Sequence, residues 1–181
     1  MRKIALSLAF LCAPAAPGFA DDSRLLGSIS MAQVRSILEA EGFTIVNTGQ
    51  DGPNSIRAKE PDGLVFNILG TACDTDLAAN CLGLDMQVRY DADGDETLER
   101  INAANLMWKP TSTSYSKTGS YGAGPQVFIV RYVILDDGVT IGNIKQNLIN
   151  LLAIAPQVAD YVWQAGVYAP DYGEDIEDWD W

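Results

Sequence analysis

The sequence predicts an α+β fold, an antiparallel sheet with helices packed mainly on one face, in the order α-β-β-β-β-α-β-β-α. Three observations carry this. Residues 82–90 set Leu82, Leu84, Met86, Val88 and Tyr90 against Gly83, Asp85, Gln87 and Arg89. That is the alternation of an antiparallel strand with one covered and one wet face. Residues 127–135 form an apolar run, interrupted by Arg131 and ending at Asp136-Asp137-Gly138. From Thr140 onward, Ile141, Ile144, Leu148, Leu151, Ala155, Val158 and Val162 recur at helical spacing.

The chain starts Met1-Arg2-Lys3, continues through an apolar stretch at residues 4–11, and reaches small residues at Gly18 and Ala20. This is the pattern of a secretory signal cleaved after Ala20, which implies a periplasmic or secreted bacterial protein. The apolar stretch is well short of the roughly 20 residues that span a bilayer. Lipoprotein processing at Cys12 would follow Phe10 and Leu11, which are too bulky for that cleavage pattern. Cleavage would leave 161 residues, enough for one domain with a sizeable core. The leader holds Arg2 and Lys3 and no acid, so 10 basic and 24 acidic residues would remain, a net charge of −14. Such a charge disfavours nucleic acid and anionic membrane surfaces. It suits solubility, a basic partner or cations. No stable membrane insertion is expected after cleavage.

The elements follow in order. A polar lead at 21–29 precedes a first helix, N-capped by Ser30, with Met31, Val34, Ile37 and Leu38 on one face and a stop at Gly42. Short strands are expected at 43–46, 55–59 and 64–69, separated by the Gln50-Asp51-Gly52-Pro53-Asn54 and Pro61-Asp62-Gly63 turns. A second helix spans 96–108, with Asp95 as N-cap and Leu98, Ile101 and Trp108 on one side, and Lys109-Pro110 stops it. Residues 112–117 read as a polar edge strand.

The strand at 126–135 has two apolar sets: Phe128, Val130, Tyr132 and Ile134, and Val127, Ile129, Val133 and Leu135 with Arg131 among them. A strand apolar on both faces is usually covered on both. Alternatively, Val127, Ile129, Arg131 and Val133 form an outer patch for a protein partner. In the last helix, Pro156 is expected to kink or interrupt the pattern. Residues 167–181 carry six acids and no base and read as a disordered tail. Its aromatics, including Trp179 and Trp181, offer a docking motif for a basic or grooved partner.

Chemistry is sparse. There is no histidine, which removes Ser-His-Asp and Cys-His arrangements and histidine-ligated metals. No catalytic residue and no cofactor is assigned. A carboxylate-based hydrolase needs no histidine, but the acids are scattered over turns and the tail. Asp91, Asp93 and Asp95 resemble the first half of a calcium loop. Glu96 stands where the turn glycine belongs and Asn102 where the bidentate glutamate belongs. Cys73 and Cys81 are the two cysteines left after the leader, and an even count in an exported chain suggests a disulfide. Period-2 parity puts Cys81 with the polar set or at the strand edge, so the bridge is expected to pin a loop outside the core.

Three stretches together resemble the YbjN family, bacterial proteins labelled sensory transduction regulators. Residues 97–105 look like that family's helix, whose signature is an Asn, a Trp two residues on, and a second Asn; Asn102 and Asn105 match and Ala104 replaces the tryptophan. Leu135-Asp136-Asp137-Gly138-Val139-Thr140 is similar to its Gly-Val turn before the last helix. Cys73 and Cys81 look like the cysteine pair of its exported members. The resemblance covers about residues 30–166. It implies a type III secretion chaperone-like fold and a non-enzymatic binding or regulatory role toward an unknown protein partner or a second copy of the chain. Asn102, Asn105 and Gly138 are then expected to be structural, the asparagines bonding to neighbouring backbone.

Overall fold

The computed structural model describes residues 21–49, 52–74, 79–92 and 97–163. Among these residues the order is β1 (Leu25–Leu26), α1 (Met31–Ala40), β2 (Thr44–Thr48), β3 (Ser55–Lys59), β4 (Val65–Thr71), β5 (Gly83–Asp91), α2 (Thr97–Met107), β6 (Ser112–Ser116), β7 (Gln126–Ile134), β8 (Val139–Thr140) and α3 (Ile141–Trp163). Strands β2-β3-β4-β5-β7-β6 form one antiparallel sheet in that spatial order. The α+β architecture is the expected one, and β6 is the expected edge strand. The leader, the Asp95 cap and the acidic tail lie outside the described residues.

Local chemistry accounts for the elements. Ser30 caps α1 in a full capping box: its Oγ accepts from Gln33 N–H, and the Gln33 side chain accepts from Ser30 N–H. Gly42, at φ 84°, ends the helix. Thr140 Oγ1 accepts from Asn143 N–H at 3.1 Å at the start of α3. The core lies between one sheet face and the helices. It joins Val34, Ile37 and Leu38 of α1, Ile101 and Ala104 of α2, and Ile144, Leu148 and Leu151 of α3 to Leu84, Met86 and Val88 of β5.

Five expectations need correction. The lead at 21–29 belongs to the fold. Leu25 and Leu26 pair with Thr140 and Val139, and Ile29 is buried while exchanging two backbone hydrogen bonds with Cys81. Arg24 and Asp22 carbonyls also accept from Ile141 and Gly142 N–H, satisfying donors that the start of α3 would otherwise leave bare. Second, Cys81 is 0 % exposed and packs in the core, while Leu82 is exposed. The strand pairing begins at Gly83 and Asn80 sits at φ 50°, so parity cannot be carried back through residues 80–82.

Third, Leu98 points to solvent, and Ala104 takes the buried place beside Ile101. Both lie three residues from Ile101, about 60° to either side of it, and the helix turns the Ala104 side toward β6 and α3. Fourth, of the kink or interruption expected at Pro156 the interruption does not occur: α3 runs through it. Leu151, Leu152, Ala155, Val158, Tyr161 and Val162 are buried on both sides of it, and this packing outweighs the lost N–H bond. Fifth, β7 is covered on one face. Val127 and Ile129 are 0 % exposed and Val133 is buried, so these residues are core and not an outer patch. The opposite set carries Tyr132 at 53 % and Ile134 at 65 % exposure.

Candidate functional site

The register defines the open face of the sheet, exposed along β7 at Tyr132 and Ile134 and buried at its centre at Asn67 and Gln87. Arg57 pairs with Asn67, Asn67 with Gln87, and Gln87 with Val130, so these positions share one side. Lys59, Leu69, Thr71, Gly83, Asp85, Arg89, Phe128, Tyr132 and Ile134 fall on the same side by period 2. The helices bury their apolar residues against the other side, as the slot between α1 and α3 illustrates: it is floored by Ile68, Leu84 and Met86.

A polar ladder runs along β5 on this face. Gln87 Nε2 donates to Asp85 Oδ2 at 2.8 Å, and Arg89 Nε donates to Gln87 Oε1 at 3.0 Å. The Arg89 guanidinium lies 5.5 Å from the centroid of the Phe128 ring, a cation–π contact. Burial pushes the Asp85 carboxyl above the ordinary aspartate range, against the lowering effects of the Gln87 hydrogen bond and the Arg89 charge. Its Oδ1 is buried without a hydrogen-bond partner among the described residues. Beside the ladder, Tyr132 reaches across β5 and its hydroxyl shares a 2.6 Å hydrogen bond with Thr71 Oγ1. Gly83 makes this possible, because a Cβ there would sit 2.5 Å from Thr71 Oγ1 and 2.8 Å from Tyr132 Cζ. The face thus has a basic, hydrogen-bonding side toward β3 and an apolar side on β7.

Other expected residues fall elsewhere. Cys73 and Cys81 are bridged. Gly70 leaves them room: a Cβ there would lie 2.5 Å from Cys81 Sγ and 2.9 Å from Cys73 Sγ. Asn105 acts on backbone, its Nδ2 donating to Thr113 O at 2.9 Å and its Oδ1 accepting from Thr113 N–H at 2.7 Å. It thereby ties α2 to the edge strand β6. Asn102 is exposed. Gly138 adopts φ 102°, and its N–H closes the turn onto Leu135 O at 3.0 Å. Arg131 points to the helix side, where Nε donates to Asn147 Oδ1 and Nη1 to Pro110 O at 2.7 Å. Asp91 is exposed and accepts from Gln126 Nε2 at 3.3 Å. Asp93, Asp95, Trp179 and Trp181 lie outside the described residues. Among the described residues no group of three or more Cys, Asp or Glu is placed to hold a metal.

Sequence reasoning missed two features. Phe128, Tyr132 and Ile134 were legible as an apolar set, but nothing in their spacing says that the helices pack on the other side. Lys145 was not singled out. Its Nζ pairs with Asp22 at 2.6 Å and with Glu41 at 2.8 Å, tying the lead and the end of α1 to α3. The hydrogen bond it donates to Asp22, then that to Glu41, raise its pKa. Lys145 and Glu41 also line the slot between α1 and α3, whose free volume is about 20 Å³, on the scale of a single water.

No family model and no curated protein matches the chain. Among solved structures, the chain is similar to YbjN from E. coli, titled a candidate transcription regulator, with a TM-score of 0.49 and 11 % identity over 72 % of this chain and 96 % of that one. It is also similar to an uncharacterized protein from Methanothermobacter thermautotrophicus, with a TM-score of 0.45 and 12 % identity over 74 % of this chain and 96 % of that one. At this level of likeness neither structure transfers a family, a site or an activity to this chain.

Proposed function

We propose that the chain is an exported, non-catalytic protein-binding or regulatory module whose binding surface is the open sheet face. One observation carries the reading: β7 turns an apolar row to solvent, with Tyr132 and Ile134 more than half exposed beside the Arg89–Phe128 contact. Exposed aromatic and aliphatic side chains flanked by an arginine are the composition of interface hot spots. Export is supported by the residue pattern of 1–20 and by the Cys73–Cys81 bridge, which suits an oxidising compartment.

The test replaces Ile134 by a photo-crosslinking phenylalanine analogue in cells, with the same replacement at Ile149, an exposed position on α3, as control. A discrete adduct from position 134 and none from 149 supports the reading. Equal labelling from both positions, or none from 134, overturns it. N-terminal sequencing of the periplasmic fraction checks export, with a mature start at Asp21 expected.

A further inference from the structure

We propose that Asn105 guards the edge of the sheet: its side-chain amide fills the hydrogen-bonding place that a seventh strand would take on β6, and so keeps β6 from pairing with β6 of a second copy of the chain.

Strand β6 is hydrogen-bonded to β7 on one side and ends the six-stranded sheet on the other. The backbone groups of an antiparallel strand turn alternately to its two sides. In β7 the phase is fixed at either end. Leu135 N–H donates to Leu82 O, and Pro125 O accepts from Ala92 N–H, both at 2.9 Å. Odd-numbered residues of β7 therefore bond to β5 and even-numbered ones to β6. The even-numbered Val130, Phe128 and Gln126 stand opposite Ser112, Ser114 and Ser116. Thr113 and Tyr115 are left with both backbone groups turned away from the sheet. Outward groups of this kind are a template for another strand. Residues 112–116 hold no charge and no proline to deter one.

The outward groups of Thr113 are filled from α2. Asn105 Nδ2 donates to Thr113 O at 2.9 Å, and Asn105 Oδ1 accepts from Thr113 N–H at 2.7 Å. A side-chain amide holds a donor and an acceptor in one plane, as a peptide group does. It thus serves both groups of one residue as a neighbouring strand would. Just ahead of the strand, Thr111 N–H donates to Trp108 O at 3.0 Å. Among the described residues no hydrogen bond reaches the outward groups of Tyr115.

The occupant kept out is a second copy, because the bare edge is complementary to itself. Ser114 is the middle residue of β6, with Thr113 and Tyr115 on either side. Two β6 strands paired antiparallel about Ser114 set Thr113 of each opposite Tyr115 of the other. Each such pair exchanges two hydrogen bonds. Both pairs need a Thr113, so one amide on Thr113 blocks both. Strand β2, at the other edge, is closed by different means. Its register shifts between Ile45 and Asn47, a bulge that disrupts pairing, and Thr48 N–H donates to Asn47 Oδ1 at 2.6 Å.

The test is the molar mass of the full chain by light scattering over a concentration series, for Asn105→Ala alone and together with Ser114→Lys. Ser114 is exposed, so lysine is tolerated there, and in the self-paired edge it meets its own copy as a like charge. Asn105→Ala should gain mass with concentration, toward twice that of the unmodified chain at the same concentration. The double variant should match the unmodified chain. A cooperative thermal melt reports that each variant is folded. A folded Asn105→Ala with the mass of the unmodified chain overturns the proposal, since a tie between α2 and β6 alone would lower the melting temperature and leave the mass as it was. A gain in mass that Ser114→Lys leaves in place also overturns it. Hydrogen exchange in the unmodified chain needs no variant: the Thr113 amide should exchange slowly and the Tyr115 amide fast. Equal rates, or a slower Tyr115, overturn the proposal whether or not Asn105→Ala folds.

Discussion

Removing the Cys73–Cys81 bridge tests whether a buried staple, and not a surface clip, holds β5 in place. The bridged residues are separated by 8 positions. Chain-entropy arithmetic for a loop of that size gives a loss of about 2.5 kcal/mol on reduction. Replacing both residues by Ala also deletes two sulfur atoms from a packed site, adding roughly 1–2 kcal/mol of cavity cost. For a domain of this size the reduced protein should melt about 5–10 °C lower. Urea unfolding followed by tryptophan fluorescence, with and without reductant, reads both numbers, and an unchanged m-value confirms that the unfolding reaction is the same.

Gly70 supplies a stricter check. A Cβ at position 70 would stand 2.5 Å from Cys81 Sγ and 2.9 Å from both Cys73 Sγ and Met31 Sδ. Gly70→Ala should therefore cost about 1–3 kcal/mol in the oxidised chain. In the Cys73→Ala, Cys81→Ala background that cost should fall to well under half, because two of the three clashing atoms are gone and the third, Met31 Sδ, belongs to a flexible side chain. The resulting non-additivity is the signature of direct contact. A reduced protein within about 0.5 kcal/mol of the oxidised one, or an equal cost of Gly70→Ala in both backgrounds, would refute the reasoning.

Three further outcomes are expected. Asn105→Ala should destabilise by about 1–3 kcal/mol by leaving the Thr113 N–H and C=O without their partner, whereas exposed Asn102→Ala should stay within about 0.5 kcal/mol; chemical denaturation of the two variants separates them. Asp85 has a raised folded-state pKa, so the native state holds its proton longer than the unfolded chain, and this contribution to stability is full below the ordinary aspartate value and is lost as pH rises through the folded value. Asp85→Asn should therefore flatten that part of the pH–stability curve and raise stability at neutral pH, and a steeper curve would reverse the assignment. Gly83→Ala should cost about 1–2 kcal/mol by driving a Cβ into Tyr132 and Thr71, and the cost should shrink in a Tyr132→Phe background, as measured by thermal melts.

Much of the fold was legible because it depends on local periodicity. The capping box at Ser30, the alternation through Leu84, Met86 and Val88, and the helical repeat from Ile141 to Val162 each express a rule that acts over a few residues. The role of Asn105 was legible as a class, a side chain bonded to neighbouring backbone, but its partner Thr113 was not. Cys81 went astray because parity holds only inside a paired strand, and the chain shifts phase between Cys81 and Gly83. The lead was read as peripheral because Leu25 and Leu26 carry no period. Their place was set by the turn at Gly138, which brings β8 within pairing distance.

The amino-acid order by itself determined that the strand at 126–134 has two apolar faces, since period 2 assigns each side chain to a side without reference to anything else. It could not say which side is wet. That was decided by tertiary packing: the lead and Thr140 start α3 on one side of the sheet, and the helix then covers Val127, Ile129 and Val133. Tyr132 and Ile134 are left in solvent because no α-helix among the described residues packs on their side of the sheet. Periodicity counts faces, and only the partners brought from distant parts of the chain decide which face is buried.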